Sequence, residues 1–145
     1  MRRQRISSSL RAKIAEEARY RCGYCLMQQI AVNSLLEVEH IIPTALGGTD
    51  DEENLWLSCT ACNRYKGTRI KAKDPSTGRL VRLFNPRRQN WFRHFRWSED
   101  GTEIIGLTAC GHATVEALKL NNELAKQARA IWRDAGIHPP KDGIG

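Results

Sequence analysis

Four cysteines in two pairs, Cys22-Gly-Tyr-Cys25 and Cys59-Thr-Ala-Cys62, carry the clearest chemistry in the sequence. Each pair has two residues between its thiols, the spacing at which a tight turn aims both sulfurs at one ion. Four thiolates fill a tetrahedron around Zn²⁺ and leave no position for a substrate. A redox Cys-x-x-Cys needs only one pair, so two pairs flanking a compact insert favour zinc. The clamp encloses Glu39-His40-Ile41-Ile42-Pro43, Gly47-Gly48 and Asn54-Leu55, and Asn63 follows its last cysteine. Histidine has the intrinsic pKa to take a proton from water near neutral pH. A neighbouring carboxylate suits a hard cation such as Mg²⁺. A base and a cation are what hydrolysis of a phosphodiester requires.

These residues need elements to position them. Leu10 to Tyr20 reads as a helix capped by Ser7, Ser8 or Ser9, with Leu10, Ile14 and Ala18 on one face. Leu35 to Val38 reads as a strand running into Glu39-His40 and stopped by Pro43. Alternation along a strand turns Glu39 and His40 to opposite faces unless the strand breaks there. Gly47 to Asp50 is a loop, Leu55 to Leu57 a second strand, and Thr60 to Lys66 a helix ended by Gly67. Strand, loop, strand, helix is a ββα unit.

Beyond it, Asp74 to Gly78 reads as a turn in a connector. Trp91, Phe92, Phe95 and Trp97 precede the hairpin turn Ser98-Glu99-Asp100-Gly101 and read as hairpin core in preference to a base-stacking surface. Glu103 to Leu107 is the return strand; Ala113 to Leu120 and Asn122 to Arg133 are helices. Gly136 and Pro139-Pro140 end the ordered chain. His94 and His112 read as packing or surface residues. Cys110 reads as a small buried thiol near a turn.

The chain has 145 residues and a formal charge of +7. Eleven basic residues and one acid between Arg64 and Arg96 give that stretch +10, leaving −3 for the remainder. A four-thiolate zinc site takes the whole to roughly +5. So concentrated a block suits a surface that follows a phosphate backbone. Arg64, Lys66, Arg87, Arg88, Arg93 and Arg96 are the candidate DNA contacts. The basic segment Met1 to Arg5 runs into Ser7-Ser8-Ser9 instead of an apolar stretch, which is not the pattern of a secretory signal. No apolar run is long enough to span a membrane. These features lead to the expectation of a reducing cytoplasm, where paired cysteines are more often metal ligands or redox groups than disulfides.

The order and spacing of Glu39-His40-Ile41-Ile42-Pro43, Gly47-Gly48, Asp51, Asn54-Leu55, Cys59-x-x-Cys62-Asn63 and Lys66-Gly67 resemble the HNH endonucleases of the ββα-metal type, in their zinc-bound subset. The resemblance covers Cys22 to Gly67, about a third of the chain. The stretch Leu83 to Trp132 is more loosely similar to parts of small stand-alone bacterial HNH proteins. The resemblance implies an α+β fold: a ββα-metal finger stapled by a four-cysteine zinc site, with an N-terminal helix and a C-terminal hairpin plus helices. The expected organisation is a single domain over 1–145, with a core over 22–67 and an extension over 83–133.

The resemblance also implies roles. His40 matches the general base and Asn54 the asparagine that organises the loop and helps orient the histidine. Glu39 and Asn63 match the ligands of one catalytic divalent cation. The implied activity is in-line hydrolysis of double-stranded DNA, leaving 5′-phosphate and 3′-hydroxyl ends. Glu39 stands where aspartate or histidine is usual, Asn63 where histidine is usual, and Gly67 offers no ligand. So oxygen-rich a site favours Mg²⁺ or Mn²⁺. The alternative is a catalytically silent, zinc-containing DNA-binding module, which has no need for Glu39, His40 and Asn63 together. A third possibility is a nuclease that acts on RNA.

Overall fold

The computed structural model describes residues 6–141; the basic segment Met1 to Arg5 lies outside them. Helix α1 (Ser8–Glu17) starts at Ser7, whose hydroxyl accepts from the Leu10 amide, and buries Ile14. It stops at Glu17 because Arg19 and Tyr20 adopt left-handed φ values of 54° and 60°. Those two residues turn the chain into the first cysteine knuckle. A short helix α2 (Gln29–Val32), not foreseen, follows the knuckle.

Strand β1 (Glu37–His40) pairs antiparallel with β2 (Leu55–Ser58), with His40 opposite Leu55 and Glu39 opposite Trp56. The start of β1 is two residues later than expected, since Leu35 stays exposed and Leu36 is held outside the ladder by the Gln29 side chain. Helix α3 (Thr60–Lys66) has the expected limits. Its cap is Cys59, whose sulfur accepts from the Cys62 amide, and Gly67 ends it at φ 59°. These three elements are the ββα unit of an α+β fold.

The stretch around Asp74 is a hairpin, where a plain connector was expected. Strands β3 (Lys71–Lys73) and β4 (Leu80–Arg82) pair across the Asp74 to Gly78 turn. Asp74 is buried and closes that turn through the Ser76 amide and the Thr77 hydroxyl. Helix α4 (Trp91–His94) runs directly into β5 (Phe95–Trp97), which pairs with β6 (Ile104–Gly106). Helix α5 (Ala109–Ala117) begins four residues earlier than expected, because Thr108 caps it through the Gly111 amide. The amphipathic helix α6 (Glu123–Asp134) closes the fold.

The core joins finger and extension. It runs from Cys22, Tyr24, Cys59 and Cys62 through Phe84, Trp91 and Phe95 to Ile104, Ala113, Leu118 and Leu120. The expectation that the aromatic run is core holds for Trp91 and Phe95, which are buried, whereas Phe92 is exposed. Trp91 stacks at 5.1 Å on Phe95 and 5.3 Å on Trp97. Arg87 ties the extension to the finger by donating to the Leu55 carbonyl at 3.1 Å and to Glu17 at 3.0 Å, and it lies over the Trp56 ring. No helix among the described residues is long and apolar enough to cross a membrane.

Candidate functional site

The four paired cysteines converge. Their sulfurs all lie within 4.8 Å of one another, buried, with Cys25 and Cys59 3.8 Å apart. Metal–sulfur bonds near 2.3 Å make a tetrahedron with edges of about 3.8 Å, so the donor set fits a metal ion. The knuckles shape it: the Tyr24 amide donates to Cys22 Sγ and the Cys62 amide to Cys59 Sγ, both at 3.4 Å. Gly23 must be glycine, because a Cβ there would overlap the Trp56 ring and Pro86. Burial pushes the Cys22 thiol up, yet hydrogen bonds from Cys25, Cys59 and Cys62 outweigh it and leave Cys22 well below the usual range. Cys110 takes no part: it sits half-buried in the first turn of α5, its thiol pushed up by burial.

At the end of β1, Glu39 and His40 do face opposite ways. Glu39 turns toward α3 and is buried. Its Oε1 lies 2.8 Å from the Lys66 ammonium, and the Tyr24 hydroxyl donates to Oε2 at 2.8 Å. Burial raises the Glu39 carboxyl above its ordinary range, with Lys66 and Tyr24 pulling the other way. Lys66 also donates to the carbonyls of His40 and Ile41, at 3.2 and 2.8 Å. The expectation of Lys66 as a DNA contact is therefore corrected: its side chain is 3% exposed and neutralises a core carboxylate. Lys66 follows the buried Cys62 by four residues, which puts both on the β1-facing side of α3.

Asn63 meets a different acid. Its Nδ2 donates to Glu37 Oε1 at 2.8 Å, while the Thr60 hydroxyl donates to Glu37 Oε2 at 2.7 Å. Those two bonds hold the Glu37 carboxyl below its ordinary range. Glu39 and Asn63 thus do not form a ligand pair here. One is closed by an ammonium and a phenol, the other engaged two residues up the strand. In this arrangement they do not fit a shared divalent cation.

His40 occupies the other face of β1. Its Nε2 lies 2.6 Å from Asp50 Oδ1, with side-chain exposures of 13% and 27%. Asn54 shapes the loop that brings Asp50 there. The Asn54 side chain accepts from the Ile42 amide at 2.8 Å and donates to the carbonyls of Ile42 and Thr49 at 3.0 and 2.8 Å. Its bonds run to backbone, and the contact to the histidine ring comes from Asp50. Gly48 is required, since a Cβ there would overlap the Ile42 carbonyl. Asp50 carries no mark of its own within the acidic run Asp50 to Glu53.

Of the basic candidates, Arg64, Arg88, Arg93 and Arg96 are exposed. Arg87 is half-buried and spent on Leu55, Glu17 and Trp56, which corrects its reading as a DNA contact. Arg82 and Arg88 line a hollow of about 270 Å³ with Ile41 and Lys66, next to the end of β1. His94 packs against Phe84 and bonds Thr108, its ring held below the ordinary range by burial. His112 lies 3.5 Å from Asp74 at the β3–β4 turn.

Residues 22–69 match the family model described as HNH endonuclease, the segment that holds all four cysteines and the His40 strand. No curated protein and no solved structure matches the chain.

Proposed function

We propose that this protein is a metal-dependent endonuclease that hydrolyses phosphodiester bonds of double-stranded DNA, with His40 as the general base. The observation that carries the reading is His40 itself. It stands at the last position of β1, inside the segment matched to the nuclease family, with its ring braced by a carboxylate at 2.6 Å. In the reaction a water gives a proton to the His40 ring and its oxygen bonds to phosphorus. The bond from phosphorus to the 3′ oxygen breaks, and that oxygen takes a proton from solvent to give a 3′-hydroxyl opposite a 5′-phosphate, while the His40 ring returns its proton to solvent.

The four-cysteine centre would hold Zn²⁺, which supplies a fixed tetrahedral crosslink and no open position. The catalytic Mg²⁺ or Mn²⁺ enters as a requirement implied by the resemblance, to offset charge on the phosphate. No protein ligand is assigned to it, because Glu39 is closed by Lys66. Arg64, Arg88, Arg93 and Arg96, all exposed, would track the backbone phosphates, and Arg82 and Arg88 line the hollow beside Ile41.

A second reading, a silent zinc-containing DNA-binding module, is favoured by the same Glu39–Lys66 pair, since such a module has no use for an accessible Glu39. Supercoiled plasmid separates the two. The nuclease nicks or linearises it with Mg²⁺ or Mn²⁺, stops on chelation, and loses cleavage but not DNA affinity in His40→Ala. Binding without any metal-dependent cleavage would establish the silent module.

A further inference from the structure

A charged partner of His40 lies outside the residues that the resemblance marks. Asp50 is ten residues downstream, across the loop after β1. A separation of 2.6 Å is short for an N–H···O bond and is typical of one assisted by charge. The loop that delivers Asp50 is fixed on both sides. Before it, the Gly48 amide donates to the Pro43 carbonyl at 2.9 Å and Gly47 turns at φ 88°. Beside it, Asn54 holds the Thr49 carbonyl, and Thr49 Oγ1 bonds both the Asp51 amide and the Asp51 carboxylate. An ordinary surface ion pair joins flexible side chains on independent backbones and contributes little. Here both backbones are held, and the carboxylate meets a defined ring atom.

That atom determines the chemistry. A carboxylate accepts only, so a neutral ring bonded to it carries its hydrogen on Nε2. The basic nitrogen of the ring is then Nδ1. When Nδ1 takes a proton, the adjacent carboxylate also stabilises the imidazolium that forms.

We infer that Asp50 is the positioning residue of His40: it fixes the ring's rotation and its Nε2–H tautomer, making Nδ1 the atom that receives the water's proton. The catalytic consequence rests on the nuclease reading; the tautomer does not.

The test therefore has two arms, applied to the full chain loaded with Zn²⁺, to Asp50→Ala and to Asp50→Asn. In the first arm, long-range ¹H–¹⁵N spectra of the imidazoles, followed with rising pH to the plateau where the ring nitrogen shifts no longer change, report His40's tautomer. The wild type should show one species with a protonated Nε2, and Asp50→Ala an exchange-averaged mixture of both tautomers. In the second arm, plasmid cleavage by Asp50→Ala should fall about 10²- to 10⁴-fold in kcat, the range for removing a group that orients a general base. KM, DNA affinity and thermal midpoint should stay near wild type. Asp50→Asn keeps an acceptor without the charge and should recover the tautomer but only part of kcat. Should Asp50→Ala fail to fold, Asp50→Asn decides alone.

An unchanged tautomer in Asp50→Ala, a mixed one in Asp50→Asn, or wild-type kcat in either variant overturns the inference. If no variant cleaves, the wild type included, the nuclease reading falls while the spectra still judge Asp50.

Discussion

Lys66 Nζ and Glu39 Oε1 are 2.8 Å apart, and neither side chain is more than 3% exposed. The pair joins the last turn of α3 to the end of β1, with Tyr24 closing the remaining side of the carboxylate. Removing one charge from such a pair strands the other in the core, which typically costs about 3–5 kcal/mol. Lys66→Met should lose stability of that order in urea unfolding of the metal-loaded protein. The double variant Glu39→Gln, Lys66→Met should recover most of the loss. Equal stability of the single and double variants would mean that the charges do not act as a pair.

A metal ion held by the four cysteines would join two knuckles whose facing sulfurs, those of Cys25 and Cys59, are 34 residues apart in sequence. By analogy with a disulfide across a loop of that length, the crosslink is worth about 4 kcal/mol through the unfolded chain. Cys59→Ser also removes the sulfur that caps α3. It should therefore lower zinc content and the thermal midpoint together. A strong chelator should do the same to the wild type. A Cys59→Ser protein that melts like the wild type without metal would sink the crosslink.

Arg87 and Arg88 are sequence neighbours with different predicted effects. Arg88→Ala should weaken DNA binding across sequences and reduce the salt slope of the affinity by about 1. Arg87→Ala should leave that slope unchanged and lower the melting temperature instead, because its guanidinium bonds Leu55 and Glu17. Fluorescence anisotropy at several salt concentrations, alongside thermal melts, separates the two.

Asp100 at the β5–β6 turn accepts from the Thr102 amide and from the Thr102 and Ser98 hydroxyls. The amide bond leads in holding its carboxyl down, from the ordinary 3.8 to about 2. A depressed folded value means the contribution is present above about 4 and is lost as pH falls through about 2. A carboxyl-carbon NMR titration should give a midpoint near 2, and an ordinary midpoint would rule the network out.

What the sequence disclosed was the part written in spacing. Helix α3 could be bounded to the residue because Cys59 and Gly67 are local signals at its two ends. The sequence was silent where a long-range partner decides. Lys66 reads as surface charge until β1 supplies Glu39, though its place one turn after Cys62 pointed inward. Strands β3 and β4 are three residues each and carry exposed charges, too short for alternation to show. Gly111 argues against a helix start locally. In the fold it is the residue that lets α5 approach the His94 carbonyl and Gly106.

Tyr24 sets the size of the inheritable unit. Its carbonyl takes the Trp91 indole N–H at 2.9 Å, its ring meets Phe84 edge-on, and its hydroxyl ends on Glu39. The recognisable motif stops at residue 69, but two of those three contacts, from Trp91 and Phe84, come from beyond it. A recombination event that carried off the motif alone would carry a tyrosine shaped for neighbours left behind. The stretch after residue 69 therefore has to travel with the finger, or be replaced by something that offers Tyr24 an indole and an aromatic edge.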